Sequence, residues 1–168
     1  MSQTAPGPAV RIVEFQPEFA ASFAALNRAW IERDFRLEPP DEVVLADPRG
    51  QIIDRGGQVF FALAEREPVG TCALIPHGPG TFELAKMAVA EQLRGHGIGD
   101  QLLVAAITWA EKAGARRLVL ASSSRLVPAI RLYRKHGFQH IPVSPDNEYA
   151  RADVEMELNL GGQGKFDK

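Results

Sequence analysis

The 168-residue sequence is poor in cysteine, in net charge and in long apolar runs. Its single cysteine, Cys72, cannot form an internal disulfide, and no cysteine–histidine spacing typical of a zinc site is present. A formal net charge of −2 excludes a global field that would attract nucleic acid or an anionic membrane. No apolar run is longer than that of Leu102 to Ile107, which is too short to cross a bilayer. We therefore expect no metal, no nucleic acid and no membrane among the partners of this chain.

The two ends of the chain differ in composition from its middle. Residues 1–9 hold no Lys, no Arg and no apolar run, so they lack the pattern of a secretory signal, and we expect a cytoplasmic protein. We expect residues 1–9 to form a flexible arm, and residues 161–168, which hold three glycines, to form a flexible tail. Residues 10–160 fit a single domain of ordinary size.

Apolar periodicity predicts an α+β fold with a mixed sheet. Helical spacing follows Pro17, and a second, short helix is expected over Asp41–Ala46. A third helix begins near Ile98 and a fourth near Pro128. Strands are expected over Val10–Phe15, Val59–Ala64, Val69–Ile75, Phe82–Val89, Arg117–Ala121, Phe138–Val143 and Val154–Leu160. This order indicates a mostly antiparallel sheet of about seven strands flanked by about four helices, rather than a doubly wound parallel sheet.

Three glycines in five residues, Gly95, Gly97 and Gly99, separate the predicted strand Phe82–Val89 from an amphipathic helix. Glycines let a ligand approach the backbone, and the first amide groups of a helix, which have no intrahelical partner, favour a phosphate. The lysine and hydroxyl of a nucleotide P-loop are absent, because an Asp-Gln pair follows Gly99, and the spacing matches a dinucleotide-binding turn poorly. The turn therefore indicates an anion site, with tight strand–helix packing as the alternative.

Three segments carry a family resemblance. They are Leu84–Val89 (LAKMAV), Gln92–Gly99 (QLRGHGIG) and Ala129–Phe138 (AIRLYRKHGF), in this order. Together they resemble the GNAT superfamily of acyl-CoA-dependent N-acyltransferases: the second segment is similar to its pyrophosphate loop and the third to its second cofactor motif. The order of elements also matches over Val10 to Leu160, and the ending Tyr149–Leu158 resembles that of small stand-alone bacterial members.

The resemblance implies the GNAT fold, in which the fourth strand carries a bulge and splays from the fifth to open a cleft. It implies acetyl-CoA as co-substrate, with its pantetheine arm paired to the fourth strand like an added strand and its pyrophosphate on the glycine segment. The backbone N–H of Met87 or Ala88 would polarise the thioester carbonyl. The implied cofactor-binding residues are Met87, Ala88, Val89, Arg94, Gly95, His96, Gly97, Ile98 and Gly99.

One position departs from the superfamily pattern. An asparagine often stands three residues before the alanine of the second cofactor motif, and here that position is Leu126. An asparagine contact to the cofactor arm is therefore missing. Ser122, Ser123 or Ser124 could substitute for it.

Amine acylation needs a neutral amine, a stabilised oxyanion and a proton for the departing thiolate. The resemblance implies that Tyr133 supplies that proton, since a phenol with a pKa near 10 can donate to a thiolate whose acid has a pKa near 8.5. An aromatic core role is the alternative. Glu83, at the start of the predicted fourth strand, is the candidate base, and the alternatives are an ion pair beside Lys86 or a base supplied by water. Cys72 has no histidine beside it and is expected to be a small buried side chain.

These observations predict an N-acetyltransferase that moves the acetyl group of acetyl-CoA to a primary amine of an unidentified small molecule or peptide, by direct attack in a ternary complex. A non-catalytic acyl-CoA-binding or sensing module is the alternative. Residues 30–54 and 142–150, which would line the acceptor side, have a mild acidic excess that suits a cationic amine. By analogy with the superfamily, a homodimer is a further expectation.

Overall fold

A mixed sheet flanked by helices makes up residues 7–161, the part of the chain that this computed structural model describes. Most of the predicted arm at 1–9, and all but the first residue of the predicted tail at 161–168, lie outside the described residues. The strands are β1 (Val10–Glu14), β2 (Gln58–Ala64), β3 (Glu67–Pro76), β4 (Thr81–Val89), β5 (Arg117–Ser122), β6 (Gln139–Ile141) and β7 (Val154–Asn159). The helices are α1 (Ala20–Asp34), α2 (Pro39–Ala46), α3 (Pro48–Gln51), α4 (Ile98–Lys112) and α5 (Val127–Lys135), with short 3-10 turns between elements. The predicted α+β class is confirmed.

Strands β4 and β5 pair over only part of their length. The strand order is β1-β2-β3-β4-β5-β7-β6, and within the described residues β4 and β5 are the one parallel pair. Their register covers three residue pairs, from Thr81 with Arg117 to Glu83 with Val119, and ends there. Helix α4 provides the crossover that a parallel pair requires. Beyond Glu83 the two strands diverge, which confirms the predicted splay.

Alternating residues of the central strands supply two apolar layers, one on each face of the sheet. Along β2, Phe60 and Ala62 belong to the layer that α4 covers, whereas Phe61 belongs to the layer that α1 and α2 cover. Tyr133 of α5 joins the α4 layer, and Phe23 of α1 joins the other. The buried stripe of α4 consists of Ile98, Leu102, Leu103, Ala106 and Ala110. The α4 layer therefore includes residues from strands on both sides of the β4–β5 gap, whereas the layer under α1 and α2 draws on β1, β2 and β3.

Helix α2 begins earlier than the sequence predicts, because two prolines occupy its first turn. Pro39 and Pro40 form the first turn of α2, where a missing N–H leaves no hydrogen bond unmade, so this helix begins before the predicted Asp41. The amide of Glu38 donates to the Asp41 carboxylate at 2.9 Å and closes the turn. The sequence does not predict α3, whose first turn is capped by the side chain of Asp47.

Leu102 and Val104 make a matched pair of substitutions on α4. Leu102 is fully buried, and Val104 is 52% exposed. Leu102→Ala should lower the free energy of unfolding by about 2–5 kcal/mol, because it leaves a cavity. Val104→Ala should change it by no more than about 0.5 kcal/mol. Urea unfolding followed by circular dichroism measures both values, and equal losses would contradict this packing of α4.

Candidate active site

The diverging ends of β4 and β5 open into a cleft of about 540 Å³. Its walls come from both faces of the sheet, since α1 contributes on one side and α4 and α5 contribute on the other. The cleft is also lined by the second half of β4, by Ala121 and Ser122 of β5, by the loop before α5, and by Tyr149, Arg151 and Ala152. The cleft also includes the glycine turn, which we define as residues 94–99.

The glycine turn presents main-chain amide groups to the cleft. Gly95 and Gly97 have φ angles of 83° and 82°, a left-handed conformation that glycine adopts without strain. A Cβ at either position would meet nothing within 4 Å, so the space around both is open. Within residues 7–161, the amides of residues 95 to 100 have no hydrogen-bond acceptor, and they lie at the positive end of the α4 dipole. The turn is therefore suited to an anion.

The structure brings most of the predicted site residues together at this cleft. Glu83 and Tyr133 line it, and so do eight of the predicted cofactor residues: Met87, Ala88, Val89, Arg94, Gly95, Gly97, Ile98 and Gly99. His96 is not part of the lining, because its side chain packs against Gly7. A position inside a glycine-rich turn does not by itself reveal which way a side chain points.

A bulge interrupts β4 midway along the cleft, as the resemblance implies. The register with β3 shifts between Ala85 and Ala88, so Lys86 and Met87 together stand opposite Cys72. Lys86 has a φ angle of 54°, in the left-handed region. That conformation costs a residue other than glycine about 1–2 kcal/mol, so other contacts must hold Lys86 in place.

The side chain of Lys86 ends in a buried ionic cluster, which we define as Glu38, Asp41, Lys86, Tyr149 and Arg151. The Lys86 ammonium donates to the Asp41 carboxylate at 2.8 Å and to the Tyr149 hydroxyl at 3.1 Å. Arg151 donates to both oxygens of Asp41, at 2.8 Å each. Asp41 is fully buried, and burial disfavours its charge. Hydrogen bonds from Arg151, Lys86 and the Glu38 amide outweigh burial and lower the pKa of Asp41 to about 2.

Sequence reasoning missed the ionic cluster. The sequence predicts Asp41 only as the start of a short helix, and its partners Lys86 and Arg151 lie 45 and 110 residues further along the chain. One signal was present, because a lysine interrupts the otherwise apolar segment Leu84–Val89. A buried ammonium needs a carboxylate partner, but spacing along the chain does not say which one.

Cations and aromatic rings alternate on the α1 side of the cleft. The Arg151 guanidinium lies 4.5 Å from the ring centre of Tyr149 and 5.8 Å from that of Trp30. Near the start of α5, the Arg125 guanidinium lies 4.6 Å from the ring centre of Phe35. Such contacts are favourable, and they connect α1 with the loops before β7 and α5.

Glu83 lies at the last β4–β5 pair, and its side chain is partly buried. Burial raises the pKa of this carboxyl, interactions with His77 and Lys86 lower it, and Glu148 and Glu155 raise it again, with a net rise. Lys86 forms its ion pair within the ionic cluster, and Glu83 has no ion pair in the described part of the chain. Glu83 therefore lines the cleft with a carboxyl group whose affinity for a proton is raised.

Tyr133 lies on the inner face of α5 and is 8% exposed. Its ring packs on Phe138 with ring centres 5.9 Å apart, and its hydroxyl has no hydrogen-bond partner among residues 7–161. Burial raises the pKa of Tyr133, and Cys72 contributes to the rise, so the phenol stays protonated at neutral pH. Cys72 is fully buried, and burial raises the pKa of its thiol to about 12, which leaves it neutral and unreactive.

Leu126, the position where the superfamily often has asparagine, lines the cleft at the start of α5. Of the three serines considered as substitutes, Ser124 donates its hydroxyl to Asp153 at 2.8 Å and is not part of the lining. Ser122 and Ser123 do line the cleft, and Ser123 is buried and accepts a backbone hydrogen bond. Ser122 is therefore the better placed of the three to contact a ligand.

Two other kinds of site find no support in residues 7–161. No group of three or more His, Cys, Asp or Glu side chains there could hold a metal ion. The helices of that same stretch are all too short or too polar to span a membrane.

Comparison with known proteins identifies the family. The model of the acetyltransferase (GNAT) family matches residues 22–138, well over half of the chain. The chain belongs to the GNAT acetyltransferase family. The resemblance inferred from the three sequence segments is thereby confirmed, and the matched range contains the β4 bulge, the glycine turn and all of α5.

A curated relative of this GNAT chain is the N-acetyltransferase YvbK of Bacillus subtilis strain 168. The two are 34% identical over 102 residues, which are 59% of this chain and 66% of YvbK. The chain thus spans less than two thirds of that relative.

Solved structures share the GNAT fold over most of this chain. An acetyltransferase of the GNAT family from Staphylococcus aureus Mu50 has a TM-score of 0.82 and 21% identity, and the match covers 90% of this chain and 99% of that one. The PaiA N-acetyltransferase of Thermoplasma acidophilum, solved in complex with coenzyme A, has a TM-score of 0.71 and 17% identity, with coverage of 90% and 99%. At these identities the likeness establishes the fold.

Asp41 should make the stability of this GNAT protein sensitive to acid. Its pKa of about 2 lies below the ordinary 3.8, so its ionised form stabilises the fold above about pH 4, and that contribution disappears as the pH falls through about 2. In Asp41→Asn the free energy of unfolding should therefore change by about 2 kcal/mol less than in the wild type between about pH 5 and pH 2. Denaturant unfolding at each pH measures this difference, and parallel pH curves for the two proteins would contradict the assigned pKa.

Proposed function

We propose that this protein is an N-acetyltransferase that transfers the acetyl group of acetyl-CoA to a primary amine, by direct attack within a ternary complex. The observation that carries the proposal is a single cleft at which the open glycine turn, the second half of β4 and Tyr133 meet. Membership of the GNAT family and the coenzyme A complex of the PaiA neighbour support the same donor.

The donor half of the cleft suits coenzyme A. The amides of residues 95 to 100 are available to donate hydrogen bonds to a diphosphate, and the side chain of Arg94 adds a positive charge to the same lining. The pantetheine arm would lie along β4 beyond Glu83, where β5 has diverged, and would pair with the main chain of Met87 and Val89.

The bulge and two side chains would perform the chemistry. The amide of Met87 or Ala88 would donate to the thioester oxygen as negative charge develops on it. The amine nitrogen forms a bond to the acetyl carbon while the carbon–sulfur bond breaks. Glu83 takes the proton that the amine loses, and Tyr133 gives its proton to the departing sulfur. Exchange with solvent then restores both side chains.

The acceptor would enter on the α1 side of the cleft, past Trp30 and Tyr149. Glu83 lies on the same lining and would receive the amine proton directly or through one water. The homodimer and the cytoplasmic location expected from the sequence stay predictions.

Gly97 and Gly56 provide a matched test of donor binding. Both have positive φ angles, 82° and 100°, and a Cβ on either would meet nothing within 4 Å, so alanine strains the two positions similarly. Gly97→Ala should weaken coenzyme A binding by about tenfold or more, because its methyl group enters the proposed diphosphate site. Gly56→Ala, which lies outside the cleft lining, should bind like the wild type. Isothermal calorimetry measures both, and equal affinities would contradict diphosphate binding at the turn.

Tyr133→Phe and Glu83→Gln test the assigned chemistry. Each should lower kcat by about 100-fold or more, because each removes one proton transfer, while coenzyme A affinity stays within about twofold of the wild type. The Glu83→Gln loss should shrink as the pH rises and more acceptor is present as free amine. Thiol release from acetyl-CoA, measured across a panel of primary amines, reports turnover.

Two outcomes of this assay would contradict the proposal. Undiminished turnover in both variants would remove Tyr133 and Glu83 from the mechanism. Tight coenzyme A binding by the wild type, with no acetyl transfer to any amine of a broad panel, would point instead to the non-catalytic acyl-CoA-binding module.

A further inference from the structure

We propose that Asp41 is a positioning residue for acyl transfer, which holds the β4 bulge in its left-handed conformation through the side chain of Lys86. The inference rests on the proposed function, because the bulge amides are the groups assigned to the thioester oxygen. Asp41 itself lies behind Lys86 and is not part of the cleft lining, so its effect must pass through other residues.

Asp41 joins three segments that are distant in sequence. It belongs to α2, its partner Lys86 belongs to β4, and its partner Arg151 belongs to the loop before β7. Every bond in this junction from a side chain to Asp41 measures 2.8 Å, and the carboxylate is fully buried. A buried ion pair is in general weak evidence for added stability, since apolar residues of similar volume often stabilise a fold equally well. A role in fixing geometry therefore accounts better for its presence beside the cleft.

The geometry that needs fixing is the backbone of Lys86. At a φ angle of 54° glycine would be the least strained residue, yet the position holds a lysine whose ammonium is bound to Asp41 and Tyr149. A side chain anchored at its far end restrains the backbone that carries it. The next two residues, Met87 and Ala88, carry the amides that would face the thioester oxygen, so their direction depends on the same anchor.

The anchor also reaches the acceptor side of the cleft. Tyr149 accepts a hydrogen bond from Lys86, and Arg151, bound to Asp41, stacks on the Tyr149 ring. Both residues line the cleft, and the same carboxylate therefore aligns the bulge with the wall past which the amine would enter.

Asp41→Asn tests the anchor, and Glu42→Gln is its matched control. Glu42 is the next residue on α2, and its ion pair with Arg28 lies at the surface. Asp41→Asn should speed amide hydrogen exchange at Met87 and Ala88 by about tenfold or more, and should lower kcat by a similar factor, with KM for acetyl-CoA within about twofold. KM changes less than kcat because the diphosphate would stay bound at the glycine turn, which the anchor does not contact, and only the pairing of the pantetheine arm with Met87 would loosen. Glu42→Gln should match the wild type in all three measurements.

Lys86→Gly supplies a second variant in case Asp41→Asn fails to fold. Glycine adopts the bulge φ angle freely, and Asp41 keeps both of its bonds to Arg151, so the fold is retained. Without the anchor, exchange at Met87 and Ala88 should again rise by about tenfold or more. In this background, Asp41→Asn should lower kcat little further, since two residues that act through one contact are not additive.

Hydrogen exchange, which needs no substrate, separates failure of this inference from failure of the proposed function. Wild-type exchange rates at Met87 and Ala88 in folded Asp41→Asn or in Lys86→Gly would overturn the anchor. Faster exchange with an unchanged kcat would overturn the positioning role in catalysis. A wild-type protein that transfers no acetyl group would overturn the proposed function, while the exchange rates would still decide whether Asp41 holds the bulge.

Discussion

The short contact between β4 and β5 is the constraint on which the rest of this structure depends. The two strands pair over three residue pairs and then separate, and each stays attached to the sheet through its other neighbour, β3 or β7. The features suited to binding a ligand lie around the resulting gap, including the glycine turn after β4, the bulge within it and the start of α5. The apolar layer under α4 includes residues from strands on both sides of the gap and so holds the two halves of the sheet together.

The charged side chains beside the gap are buried or partly buried, and most of them are paired with one another. The ionic cluster confines two cations and the Asp41 carboxylate to a buried junction of α2, β4 and the loop before β7, with hydrogen bonds to every charged group. Glu83 stays outside that junction, with its proton affinity raised by partial burial. Tyr133 lies in the α4 layer, where burial also raises the pKa of its phenol. Burial thus raises the pKa of both side chains, and Lys86, which forms its ion pair with Asp41, opposes the rise at Glu83 only in part.

The parts of this fold that depend on local sequence could be predicted, and the parts that depend on long-range packing could not. The glycine turn, the strand that carries Glu83 and the helix that carries Tyr133 each follow from spacing within about a dozen residues. The partnership of Asp41 with Lys86 and Arg151 joins residues 45 and 110 positions apart, and no periodicity encodes it. The orientation of His96 toward Gly7 likewise depends on packing of the chain start against the turn. The β4 bulge is predicted from the family resemblance alone, because an extra residue in a strand can be recognised only by its pairing with the neighbouring strand.

The cleft at the β4–β5 gap is lined from both faces of the sheet, and this determines how molecules can enter it. Residues of α5 line the cleft on one face of the sheet and residues of α1 line it on the other, so the cleft extends between the two faces. Two molecules can then reach the same point from opposite faces, and neither has to depart before its counterpart arrives or leaves. With this geometry, an enzyme has no steric reason to hold a transferred group covalently on one of its own side chains while one molecule leaves and another binds.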